Sequence, residues 1–336
     1  MRGIYFNVDK DGFNRNNHGK GKAYEKTVGE KLVAQRDGCS VYQFQNETGE
    51  GTITIYDVFP GVVLSYNDFN MSYYHAEDQS FGDVFCIDHC REGRMEYCAK
   101  NNAYSYVEAG DLKLDRRLTH VGRFEMPLSH YRGISVLLDM KIAEKSLHEE
   151  IKDFPVNLWS LRQKFCEDIY PTVIHKACSI EHIFGELYSV PEKIKIPYFK
   201  IKILELLLYL EALELTDSLD EKPYFYKAQV EKTKALKKFL TEHIQENYTQ
   251  EELAKKFDIP ITAMKRCFKS IYGMPIGSWV LQYRMNYAAE ILTSNCKINI
   301  GELASTLGYD SPSKFALAFR RIMGMSPTEY RNRKRS

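Results

Sequence analysis

The sequence predicts an α+β chain of several domains: an N-terminal antiparallel β-barrel, a helical middle and an all-α C-terminal domain. Three observations carry this. Strand-like runs recur roughly every ten residues between positions 38 and 140. An apolar helical run lies near position 200, and the C-terminal stretch writes one helix-pair pattern twice. At 336 residues the chain has room for about two or three domains, each with its own core.

The strand runs are Val41–Phe44, Thr52–Tyr56, Val62–Leu64, Phe85–Ile87, Met95–Tyr97, Ser105–Val107, Leu112–Leu114 and Ile134–Val136. Turn signals separate them at Glu50-Gly51, Pro60-Gly61, Arg91–Gly93, Asn101-Asn102 and Ala109–Asp111. Many short strands so punctuated point to a barrel or a sandwich over residues 38–140. Residues 1–37, with the Asn- and Gly-rich stretch 14–21, read as a partly disordered arm.

Residues 141–222 read as helices: Lys141–Phe154, Leu158–Ile169, Ile180–Val190 and Pro197–Leu215. The run Ile201–Leu213 is apolar on more than one face, yet too short and too interrupted by Glu for a membrane span. It needs burial, the β-domain covering one face and a partner chain the other. Asp217–Lys222 is a polar boundary before the last domain, 223–336.

That last domain holds the repeat. Glu252, Leu253, Ala254 and Phe257 recur as Glu302, Leu303, Ala304 and Leu307, an offset of 50. Phe268, Gly273 and Trp279 recur as Phe319, Gly324 and Tyr330, an offset of 51, so one residue is inserted between the two helices. Thr249 and Asn299 stand three residues before a Glu, the capping-box pattern of a helix start. Asp258 and Gly308 tolerate a left-handed turn. Ser311 then Pro312 suit an N-cap and first helical position, and Gly324 suits a helix end. Each copy is therefore a helix-turn-helix unit, and a tandem pair can reach two places on DNA.

From Ile300 to Arg331, the spacing of Leu303-Ala304, Gly308, Ser311, Ser313, Phe315, Phe319-Arg320, Gly324, Pro327 and Tyr330 resembles the signature of AraC/XylS-type transcription regulators. The upstream copy, with the helix from Pro275 to Leu292, fits the rest of their DNA-binding domain. The resemblance covers roughly the last hundred residues. It implies promoter binding through two recognition helices in successive major grooves, joined by a long helix whose apolar stripe is Ile276, Trp279, Val280, Tyr283, Tyr287 and Ile291. It also implies a cupin-like front barrel, a homodimer formed through the middle helices, and RNA polymerase as a partner if the protein activates; activation is the family's commoner mode.

Charge agrees independently. Residues 227–336 hold 19 Lys and Arg against 10 Asp and Glu, whereas the whole chain nets only +1. A basic domain behind an acidic front fits double-stranded promoter DNA as the partner. By helix geometry Thr262, Ala263, Lys265, Arg266 and Lys269 face outward in copy one, and Ser313, Lys314, Leu317 and Arg321 in copy two. By resemblance Arg266 reads a base edge, guanine suiting its forked donors. Lys265 and Lys269 suit phosphates. Leu317 stands where some relatives have arginine, and Pro260 replaces the usual serine cap of the first recognition helix, leaving Thr262 to take over. Arg284 and Arg331 each follow a tyrosine near the end of a copy; a salt bridge or a carbonyl cap is the simpler reading of both.

The front domain crowds aromatic residues, and Tyr42, Phe44, Tyr56, Tyr66, Tyr73 and His75 are the candidates for a small-molecule effector, with plain barrel filling as the competing reading. Nothing identifies the effector, and a regulator without one stays open. Cys86, His89, Cys90 and Cys98 lack a paired Cys-x-x-Cys, so neither metal nor cofactor is expected. Eight cysteines without a signal peptide or long apolar segment suggest thiols in a reducing cytoplasm, away from any membrane. The alternative to a regulator is a barrel enzyme or a DNA alkyl-group acceptor fused to the same DNA-binding domain. It requires a metal triad or an activated cysteine.

Overall fold

The computed structural model describes residues 30–36, 38–76, 83–99, 103–118, 122–175, 180–214, 224–295 and 297–333. The chain divides into two compact units, Met1–Tyr224 and Phe225–Ser336. Most of the expected arm and the polar boundary Asp217–Lys222 lie outside the described residues. The arm's last stretch, Glu30–Arg36, is a strand.

In the first unit the strands are β1 (Glu30–Arg36), β2 (Cys39–Asn46), β3 (Gly49–Phe59), β4 (Val62–Asn70), β5 (Tyr73–Ala76), β6 (Val84–Ala99), β7 (Ala103–Glu108), β8 (Leu112–Asp115), β9 (Gly122–Glu125), β10 (Tyr131–Asp139) and β11 (Thr172–Ile174). The main sheet runs β1-β2-β3-β4-β10-β6-β7, with β8 also on β6 and β11 on β8; β5 pairs with β9 apart from it. Every strand pairing in this unit is antiparallel.

The expected cupin-like barrel is not closed: among the described residues β1 pairs with β2 alone. The reason lies in β6. Its first half pairs with β10 and β8, and its second half, from Arg94, pairs with β7, so the sheet forks instead of wrapping round. The turn expected at Arg91–Gly93 is a bend inside this strand. The register against β10 slips there, and Gly93 adopts φ +87°, where a Cβ would lie 2.1 Å from the His130 carbonyl oxygen.

Strand alternation gives the sheet two faces. Val62, Leu64, Phe85, Ile87, Leu112, Leu114, Ile134 and Val136 bury one of them against the helices. Those helices are α1 (Met140–Glu150), α2 (Leu158–Phe165), α3 (Glu181–Leu187) and α4 (Lys195–Ala212). Asp139 starts α1 by accepting from the Ile142 N–H at 3.0 Å. Phe199, Ile203, Leu206, Leu207 and Leu210 are the buried side of α4, while Ile201 and Leu208 face solvent. The other sheet face packs Phe44, Ile53, Ile55, Phe69, Cys86 and Leu137. It also buries four charges: Lys113 Nζ lies 2.8 Å from Asp88 and 2.5 Å from Asp115, and Arg117 Nη2 lies 2.7 Å from Asp88.

The second unit is helical: α5 (Lys227–Glu242), α6 (Gln250–Phe257), α7 (Ile261–Tyr272), α8 (Ile276–Ser294), α9 (Ile300–Thr306), α10 (Pro312–Met323) and α11 (Pro327–Arg333). Among the described residues no helix is long and apolar enough to cross a membrane.

Candidate nucleic-acid interface

Each copy folds as a helix pair, α6–α7 and α9–α10, and local chemistry explains its corners. Thr249 Oγ1 accepts from the Glu252 N–H at 3.2 Å while Glu252 accepts from the Thr249 N–H at 2.8 Å, a complete capping box. Copy two caps differently: Asn299 Oδ1 accepts from the Gly301 N–H at 2.7 Å. Asp258 turns copy one in the left-handed region, φ 50°, where Lys232 Nζ bonds its carboxylate at 2.9 Å and its carbonyl at 2.7 Å. Ser311 caps α10 with Pro312 at its first position. Pro260 leaves α7 without a side-chain cap, so Thr262 does not take over that task.

The repeat is written in geometry as well as in sequence. α7 and α10 are each 12 residues long and stop at a left-handed glycine, Gly273 and Gly324. Phe268 meets Trp279 edge-on at 5.8 Å; its counterpart Phe319 meets Tyr330 edge-on at 5.5 Å. Copy one buries Leu253, Met264, Cys267, Phe268, Ile271 and Tyr272, and copy two buries Leu303, Ala304, Leu307, Phe315 and Phe319.

These buried faces leave the others open. Thr262, Lys265, Arg266 and Lys269 on α7 are exposed, and Ala263 is half-buried. Ser313, Lys314, Leu317 and Arg321 on α10 are exposed, Leu317 to 74%. Arg320 is exposed too and stands in register with Lys269; the 51-residue offset was the signal that would have found it.

The expected stripe on α8 holds in part: Ile276 is buried, Trp279, Val280, Tyr283 and Ile291 are half-buried, and the fully buried line runs beside them. Ile276, Met285, Ala288, Ala289 and Leu292 are its buried positions, Tyr287 is exposed, and Arg284 is buried among the apolar residues. Small alanines permit close helix contact where bulky aromatics would not. Arg284 is a carbonyl clamp: Nε donates to the Ile244 carbonyl at 2.8 Å, Nη2 to that of Glu246 at 2.8 Å, and Nη1 to Asn247 Oδ1 at 2.9 Å. Asn247 Nδ2 in turn donates to the Gly308 carbonyl at 3.3 Å. A Cβ on Gly308 would sit 2.2 Å from the Gln245 carbonyl oxygen, so the segment before copy one touches the turn of copy two. Arg331 similarly donates to the Ile298 carbonyl at 3.1 Å, just before α9.

The front-domain candidates do not converge. Tyr42 and Phe44 pack on the sheet face away from the helices. Tyr56 and Tyr66 pack on the helix side, edge-on at 5.9 Å, with Phe199 between 5 and 6 Å of each at 5.2 Å and 6.0 Å. Their hydroxyls are engaged: Lys195 donates to Tyr56 at 3.0 Å and Tyr66 donates to the Leu187 carbonyl at 2.5 Å. Tyr73 holds Glu47 and lies under Arg123, and His75 is exposed on β5. Alternation along β6 also separates Cys86 and Cys90 from His89, which turns to the helices and stacks on Phe184 at 4.2 Å.

Two groups among the described residues bring metal-ligating types together. Cys86, Asp88 and Asp115 already enclose Lys113 and Arg117; burial opposes ionisation of Asp88, but Arg117 and Lys113 hold it well below the ordinary carboxylate range. In the other group His175 Nδ1 lies 2.6 Å from Asp111, and Arg94 pairs with Glu108. The six described cysteines are free thiols. Burial raises Cys39, Cys86 and Cys98, and pushes Cys166 up to about 12.

Two basic helix pairs repeated in one compact unit define a helix-turn-helix protein. Residues 253–333 match the family described as helix-turn-helix domain. A 96-residue stretch is 31% identical to the virulence regulon transcriptional activator VirF of Yersinia enterocolitica, covering 29% of this chain and 35% of that protein. Over 99 residues it is 28% identical to the HTH-type transcriptional regulator ExsA of Pseudomonas aeruginosa, covering 30% and 35%. The C-terminal domain of AraT, a response regulator from Geobacillus stearothermophilus, aligns at 28% identity and TM-score 0.29, covering 30% of this chain and 84% of that one. The chain thus spans about a third of the length of the curated relatives it matches. Its C-terminal domain is a helix-turn-helix domain, similar over that stretch to those of transcription regulators.

Proposed function

We propose that this protein is a sequence-specific transcription regulator that binds promoter DNA through α7 and α10. The observation that carries the reading is the doubled basic face: Lys265, Arg266 and Lys269 on one helix, and Lys314, Arg320 and Arg321 on its repeat, all exposed. Thr262, Ala263 and Ser313 border these faces, and Leu317 offers a thymine methyl its apolar contact. Phosphate pairing supplies affinity; Arg266 supplies base readout.

The front unit is read as the regulatory part, responding to a small molecule and biasing how the two DNA-binding domains of a dimer are presented. Ile201 and Leu208 on α4, with Ile194 just before its start, support the dimer: they are exposed and fall at seven-residue spacing. Activation is the mode suggested by the similarity to the transcriptional activator VirF, and it would bring RNA polymerase as a partner in the cytoplasm. The fused enzyme or alkyl-acceptor reading is disfavoured because the raised Cys39, Cys86, Cys98 and Cys166 thiols remain protonated at neutral pH.

Genome-wide mapping of bound sites, followed by competition binding of the full chain to a mapped site against random DNA, tests the regulator. A salt-sensitive preference for the mapped site is expected; equal affinity for both would sink sequence-specific regulation.

A further inference from the structure

Between β6, the β7–β8 turn and α3 lies an open cleft of about 410 Å³, lined by His89, Arg91, Gly110, Glu181, Gly185 and Tyr188 among others. None of the six aromatic candidates read from the sequence lines it. Three independent features mark it as built for an occupant.

His89 is 6% exposed, and neither of its ring nitrogens has a hydrogen-bond partner. The Tyr188 hydroxyl, in the same cleft, is also buried without a partner. Buried polar groups are nearly always paired, and two orphans in one cleft call for a shared ligand. Gly185 sits in the middle of α3, where glycine weakens a helix. A Cβ there would meet nothing within 4 Å, so packing does not require the glycine; it keeps the cleft wall open.

The lining chemistry specifies the class. Burial holds His89 at a pKa of about 4, so at neutral pH its imidazole offers one donor and one acceptor. The Tyr188 hydroxyl likewise offers one of each. Arg91 and Glu181 balance each other on the rim, so neither sign of ligand charge is favoured. Aromatic surfaces adjoin on both sides: Phe184 stacks on His89 with an interplanar angle of 6°, and the Arg91 guanidinium lies 4.3 Å over the Tyr188 ring. Gly110 and Gly185 add no side chains, which suits a flat ring.

We propose that this cleft binds a small, flat, uncharged molecule whose phenolic hydroxyl or carboxamide group pairs with His89 and Tyr188. The site deepens the reading of the front unit as a sensor and rests on it for any effect on DNA.

The probes are 4-hydroxybenzamide, 3-hydroxypyridine and nicotinamide, with benzoate and benzylamine as charged counterparts, titrated into the full chain by ligand-observed NMR and calorimetry. At least one uncharged probe is expected to bind, with the charged pair at least tenfold weaker. Gly185→Leu should abolish binding and Tyr188→Phe weaken it at least fivefold, while Gly185→Ala keeps the native circular dichroism. If Gly185→Leu does not fold, Tyr188→Phe decides, because it removes one oxygen and leaves the packing. Absence of binding, binding unchanged in the variants, or equal binding of the charged probes overturns the cleft. Promoter affinity measured with and without the bound probe separates the two readings. Binding without any change in DNA affinity removes the sensor role and leaves the cleft standing.

Discussion

Arg266 on α7 and Leu317 on α10 occupy the same position of a repeated helix, 51 residues apart, and both point into solvent. The surrounding frame is common to both: equal helix length, the same terminal glycine, the same edge-on aromatic pair. The outward groups differ: a forked cation at 266 against an aliphatic branch at 317, and Lys265 against Ala316 beside them. The copies are alike as scaffolds and unequal in the side chains they expose.

Arg266→Ala should therefore cost about 1–3 kcal/mol on a mapped site and relax selectivity at one base pair. Leu317→Ala should cost about 1 kcal/mol, the value of a small apolar contact, and only where a thymine is present. Competition assays against single-base-pair variants of the site measure both. Equal losses on specific and random DNA would recast Arg266 as a phosphate contact.

Lys265, Lys269 and Arg320 are expected to act on the backbone. Each alanine variant should weaken specific and random DNA alike and reduce the slope of log K against log salt by about 0.9. Titrations at several salt concentrations read this directly. A slope left at its wild-type value removes the residue from the interface.

Within the second unit Arg284 joins the two helix-turn-helix copies through the segment before copy one, so its loss should be felt as instability of the whole helical domain. Arg284→Ala leaves the part-buried carbonyls at Ile244 and Glu246 without their donor and should cost about 2 kcal/mol. Gly308→Ala forces a Cβ against the Gln245 carbonyl at φ +76° and should cost about 2 kcal/mol. Denaturant unfolding followed by far-UV circular dichroism checks both, and unchanged midpoints would show that the clamp contributes little.

Acid should weaken the front unit through His89. Its folded pKa, about 4, lies below the ordinary 6.5, so the unfolded chain takes up a proton first as pH falls. Stability is fully present above pH 6.5 and declines as pH drops towards 4, by about 2 kcal/mol at pH 5. His89→Phe, which keeps the stack on Phe184, should flatten this window. An unaltered pH profile in that variant would place the acid sensitivity elsewhere.

Much of this architecture was legible because local chemistry dominates it. The 50- and 51-residue offsets, the glycine stops and the Thr249–Glu252 cap sit in a few adjacent residues, and each became the corner it implied. Strands such as Val62–Leu64 and Ile134–Val136 announced themselves by composition. What escaped depends on distant partners. The bend at Gly93 looked like a turn because its pairing with His130 and Tyr131 is invisible along the chain. The six front-domain aromatics looked like one pocket because crowding in sequence does not reveal which sheet face a residue takes. Arg284 hid among apolar neighbours, its carbonyl partners about forty residues away.

The buried quartet of Asp88, Lys113, Asp115 and Arg117 has a consequence for the protein's descent. The four charges cancel, so losing any one strands an uncompensated charge in the interior, at about 3–5 kcal/mol. Replacing all four with well-packed apolar side chains is often neutral or better. A lineage cannot reach that state by single steps without passing through a strongly destabilised ancestor. These four positions are expected to be inherited as a block, retained together or exchanged together, whatever happens to the DNA-reading helices.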